Sequence, residues 1–170
     1  MRAELPFHRI DGYPAQVSGP SVLVRLLDGL GFRFYWATDS LTEQDYAFSP
    51  GHGCQSIGQL TGHIWGLTNW VYAAVLGAQE ARPGTPEQQR AHALQMLYRL
   101  RQHFAALDDQ ALAAITIDDR PFWHILNGPL ADALTHVGQI NVLRRLAGNP
   151  TPKARLFTGE PPGAKKPSPS

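Results

Sequence analysis

Asp132 and His136 stand four residues apart in the segment NGPLADALTHVGQINVLRRLAGNP, residues 127–150. On an α-helix this spacing puts both side chains on one face, about one turn apart, and Gln139 and Leu143 continue the row. Most of the remaining positions are apolar, among them Leu130, Leu134, Val137, Ile140 and Leu146. A helix that is apolar almost all round is buried, so its polar row is expected to be buried too. Buried carboxylate, imidazole and amide groups are costly unless partnered, and a metal ion is one such partner. His63 lies on another helical segment, at the flank of its apolar stripe beside Leu67 and Trp70. Imidazole nitrogens with one carboxylate suit zinc, nickel, iron or manganese, with positions left open for water or substrate. The same residues have a plainer reading. A histidine beside an apolar stripe can be a hydrogen-bonded core residue, and Asp and His at this spacing can bond each other across one turn.

Helices must position these groups, and the apolar spacing predicts four. The first spans about residues 20–40, with Ser18 as its cap and Val22, Leu23, Leu26, Leu27, Leu30 and Phe34 as its apolar face. A loop dense in turn formers, TEQDYAFSPGHG, follows. The second spans about 56–76, carries Ile57, Leu60, Ile64, Leu67, Val71 and Val75 at spacings of three and four, and stops at Gly77. Thr85-Pro86-Glu87-Gln88 reads as a capping box around a first-turn proline and opens the third. Its apolar positions are Ala91, Leu94, Leu97, Tyr98, Phe104 and Leu107. The fourth is the segment described above, closed by Gly148 and Pro150, with residues 123–126 as an extra leading turn. Four such helices bury their stripes most simply as an all-α four-helix bundle, a single domain over residues 1–150. Residues 151–170 are proline-rich and polar and read as a mobile C-terminal tail.

Composition narrows the functional classes. The chain has 170 residues, 43% hydrophobic and 17% charged, as an ordinary globular domain does. Net charge near +1 and the lack of a basic cluster give no reason to expect nucleic acid. No apolar run reaches membrane-spanning length, and the N-terminus lacks the apolar stretch of a signal peptide. The one cysteine, Cys54, excludes an internal disulfide framework and fits a reducing cytoplasm.

The second and fourth helical segments, SIGQLTGHIWGLTNWVYAAVLG and LADALTHVGQINVLRRLAG, resemble those of the DinB-like family of four-helix-bundle proteins. The family pattern is a histidine midway along the second helix, then H-x3-H-x-G-Q-[ILV]-x3-R-R on the last. His63 matches the first of these, His136 the last histidine, and Gly138-Gln139-Ile140 with Arg144-Arg145 complete the signature. Asp132 departs from it, standing where many relatives have the first histidine of the pair. A carboxylate can ligate where an imidazole did, so the resemblance implies one divalent metal, zinc or nickel, on His63, Asp132 and His136. Gln139 is then a candidate to orient a ligand or a bound water. The resemblance covers most of residues 20–150, in order. It implies a homodimer and a small-molecule substrate, with a low-molecular-weight thiol as co-substrate. The chemistry to expect is activation of a thiol or water on the metal, of thiol-dependent transferase or hydrolase type. The alternatives are a non-catalytic metal-binding or stress-related protein, and a metal-free bundle whose polar row only fixes helix register. No residue presents itself as a general base.

Other candidates carry less chemistry. His52 and Cys54 share the Gly-rich loop GHGC, a possible redox pair, but a loop histidine is usually solvated. No G-x-S-x-G elbow occurs, and Gly51, Gly53 and Gly58 make no dinucleotide fingerprint. His92 and His103 are expected to face water, and His124 to be structural. Arg144 and Arg145 point to different faces; one can pair with a carboxylate or an anionic substrate, a structural or surface role being the default.

Overall fold

Capping boxes set where the long helices start. The Ser18, Ser56 and Thr85 hydroxyls each accept from the backbone N–H three residues on, and the side chains of Ser21, Gln59 and Gln88 accept in return from the cap N–H groups. They open α1 (Gly19–Thr38), α3 (Ile57–Leu76) and α4 (Pro86–Ala105). A fourth box, Thr42 with Asp45, opens a short helix α2 (Glu43–Ala47) inside the stretch the sequence presents as loop. Gly77 stops α3 in the left-handed conformation, as expected. After α5 (Asp109–Ala113) the chain makes a small antiparallel hairpin, β1 (Thr116–Ile117) with β2 (Arg120–Pro121). Asp118 and Asp119, both at positive φ, form its turn. A single helical turn α6 (Trp123–Ile125) and a π-helical turn (Leu126–Leu130) containing Pro129 then run into α7 (Ala131–Leu146).

The computed structural model describes residues 5–164; residues 1–4 and the end of the expected tail, 165–170, lie outside the described residues. The fold is mostly helical, in keeping with the all-α class. Both α1 and α3 pack against α4 and α7, around a core that includes Leu27, Leu30, Phe34, Ile64, Leu97, Phe104 and Ile140. No helix among the described residues is long and apolar enough to cross a membrane.

The expectation for α7 needs correcting. Ala133, Val137, Ile140, Leu143 and Arg144 form its buried face, whereas Val142 and Leu146 are 53% and 60% exposed. The helix is therefore amphipathic in placement though not in composition, and the polar members of its row, Asp132, His136 and Gln139, run along the border of the core while Leu143 is buried.

Arg144 is the largest fully buried side chain. Its Nη1 donates to the carbonyls of Trp36, Ala37 and Asp39, at the open end of α1. Its Nε and Nη2 donate to Asn149 O and Oδ1, and Asn149 Nδ2 donates to Asp45 Oδ2 at 2.9 Å. Burial pulls the Arg144 pKa down, countered by the carboxylates of Asp45 and Asp39. Burial pushes Asp45 up, but hydrogen bonds from Thr42 and Asn149 outweigh it and hold the carboxyl below its ordinary value. Arg90 of α4 adds a second guanidinium at the same helix end, donating to Thr38 Oγ1 and Tyr35 O.

Where the sequence suggests a mobile tail, residues 151–164 make contacts with the body. Ile10 N–H donates to Gly159 O at 2.9 Å, and Arg155 bridges to Glu160. Ile10 packs with Phe32 and Trp36 of α1, with Ala154 against them.

Candidate metal site

Two helices bring the site together. His63 stands in the second turn of α3, while Asp132 and His136 sit on the first turns of α7, just after the π-helical turn. His63 Nε2 lies 3.1 Å from Asp132 Oδ2, and His136 Nε2 lies 3.3 Å from Asp132 Oδ1. The two imidazole rings meet edge to face, with centroids 4.6 Å apart. One ligand atom from each residue can be chosen so that all lie within 4.8 Å of one another. Gln139 Oε1 is 2.8 Å from His136 Nδ1, so neutral His136 carries its hydrogen on Nδ1 and donates it there. That leaves the Nε2 lone pair directed at the Asp132 carboxylate.

Two imidazole nitrogens and a carboxylate are donors that could hold a divalent cation. The two N···O separations, 3.1 and 3.3 Å, run to different oxygens of Asp132. Burial is not what calls for an ion. The His63 and Asp132 side chains are 44% and 46% exposed and only His136, at 15%, is largely covered. No buried side-chain polar atom among the described residues lacks a hydrogen bond. The expected buried row is thus a half-open one, because α7 turns Val137 and Ile140 inward and leaves Asp132 at the rim. Clefts flank it on both sides, one of about 530 Å³ beside His136, Gln139 and Cys54, the other of about 390 Å³ beside His63.

The remaining candidates lie elsewhere. Cys54 is a free, exposed thiol, and His52 next to it has positive φ. His124 is exposed and His103 half-buried. His92 does not simply face water: Trp65 Nε1 donates to its Nδ1 at 3.2 Å, and Glu80 lies 3.8 Å from its Nε2. Of the paired arginines, Arg144 is the structural one and Arg145 is exposed. Arg82, which no motif singles out, lines the cleft beside His63. No protein-family model matches this chain, and no curated protein or solved structure matches it either.

Proposed function

We propose that this chain is a DinB-like four-helix bundle holding one divalent cation, zinc or nickel, on His63, Asp132 and His136. We read it as a metal-dependent enzyme of thiol-dependent transferase or hydrolase type, acting on a small molecule. A cytoplasmic location and a homodimeric state belong to the same reading. The observation that carries it is the convergence of two imidazole nitrogens on one carboxylate at 3.1 and 3.3 Å, from helices far apart in sequence.

The protein's own groups have distinct tasks in this reading. Gln139 holds His136 in the tautomer that presents Nε2. Asp132 faces both histidines and sets their separation. The partial exposure of His63 and Asp132 leaves an approach for a substrate from either cleft. A divalent cation bound there would supply Lewis acidity, lowering the pKa of a thiol or water so that it is nucleophilic at neutral pH.

A second reading has its own observation. His63 Nε2 and Asp132 Oδ2, 3.1 Å apart, can by themselves serve as a hydrogen-bonded tie between α3 and α7 with no ion. Elemental analysis and calorimetric titration of untagged protein with zinc, nickel and manganese separate the two. The expected result is about one ion per chain, with His63→Ala weakening affinity about tenfold or more as three protein ligands become two. Failure of all three metals to bind leaves the metal-free tie. Thiol consumption in the presence of candidate electrophiles then separates an enzyme from a non-catalytic metal-binding protein.

A further inference from the structure

Arg82 stands in the loop between α3 and α4, in the stretch Ala81-Arg82-Pro83-Gly84. Its guanidinium lies over the ring of Trp65, 5.8 Å from the centroid. It also lies against the backbone of α3 at Gly62, the residue next to His63, where an added Cβ would overlap it. Among the described residues no carboxylate is within ion-pair distance of it, whereas Arg101 and Arg90 each have an aspartate. Arg82 and His63 line the same cleft of about 390 Å³, together with Gly62, Gly66, Leu67 and Trp70. A Cβ on Gly66 would meet nothing within 4 Å, so the space over that turn is open. No Asp or Glu lines this cleft or the one beside His136; Glu43 and Glu87 border a separate cleft that Arg82 also lines. With a divalent cation on the triad, the single carboxylate of Asp132 leaves the site with a net positive charge, to which Arg82 adds.

We propose, resting on the metal-site reading above, that the substrate is a small organic carboxylate, its carboxylate held by the Arg82 guanidinium across Gly62 from His63. The planar fork of an arginine matches a carboxylate in two parallel hydrogen bonds, which a lysine cannot reproduce. Leu67 and Trp70 offer apolar surface to the body of the same molecule. Gly62 is then a positioning residue, because any side chain there displaces the guanidinium from the cleft.

Titration of the full-length protein with benzoate and with benzyl alcohol, which has the same ring and no charge, tests this. Zinc-free and zinc-loaded samples are both used, and the zinc affinity of every variant is measured first. Wild type is expected to bind benzoate about tenfold more tightly than benzyl alcohol without zinc, and more so with it. Arg82→Gln is expected to abolish the preference in the zinc-free protein while leaving zinc affinity unchanged, and Arg82→Lys to be intermediate. Equal binding of the two probes by wild type, or undiminished benzoate binding by Arg82→Gln, overturns the inference. If zinc binds and the preference is missing, the inference falls alone. If zinc does not bind yet the preference depends on Arg82, the carboxylate site stands and the metal reading falls.

Discussion

Asp132 is where the readings of the site divide, because it faces both histidines. As a ligand it should be replaceable by another ligand and not by its nearest isostere. Asp132→His is expected to retain about one ion per chain, and Asp132→Asn to lose about tenfold or more in metal affinity, since a neutral amide is a poor ligand for a borderline-soft ion. The side chain is half exposed, so the larger imidazole has room and the stability cost is expected to stay under about 1 kcal/mol. Asn keeping the metal while His loses it would remove Asp132 from the site. The residue types and the spacing of Asp132, His136 and Gln139 were legible because a helix converts i, i+3 and i, i+4 into proximity. Their exposure was not, since composition cannot say which side of an apolar helix is covered. Arg82 was invisible for another reason: it stands in a loop with no period, and what places it is a missing side chain on α3, at Gly62. His92 was misjudged likewise, its partner Trp65 lying on a different helix.

At the scale of elements, the end of α1 depends on charges carried by other helices. Asp45 joins this network through Asn149, which also accepts from Arg144. Its folded pKa lies below the ordinary carboxylate value, so its contribution to stability is present above about pH 3.9 and lost as pH falls from there through the folded pKa. Denaturant midpoints measured from about pH 6 down to about pH 3 should therefore fall less steeply for Asp45→Asn than for wild type. Identical pH slopes would show that Asp45 takes no part in acid unfolding. The starts of α1, α3 and α4 were readable from Ser18, Ser56 and Thr85 because a capping box is a local bond pattern. Thr42-x-x-Asp45 is the same signal, but the helix it opens is only five residues long, too short to show a period. The hairpin escaped for a similar reason: two-residue strands cannot alternate, and its turn uses Asp118-Asp119 in place of a glycine.

In the molecule as a whole, the segments at either end of the described chain meet on the outer side of α1. Truncation after residue 150 removes Ala154 and the Gly159 carbonyl from the cluster of Ile10, Phe32 and Trp36. With about 1–2 kcal/mol at stake, the thermal midpoint should drop by roughly 3–6 °C, as circular dichroism would report. An unchanged midpoint would mean that these contacts add nothing to the fold. The all-α class was legible because four apolar stripes leave few other ways to bury them. The docking of residues 151–164 was not, since it rests on a backbone hydrogen bond and on close fit at Gly159, neither of which composition records. The buried Arg144 has a consequence for the order of events in folding. It reaches back 108 residues in sequence to the carbonyl of Trp36. An earlier helix is thus finished by a group on a later one. Until α7 docks, those terminal carbonyls must be met by water, and closing so long a loop makes this contact slow to form. The last turn of α1 can stay frayed while the helix behind it is already in place, so that the completion of α1 waits on the docking of α7.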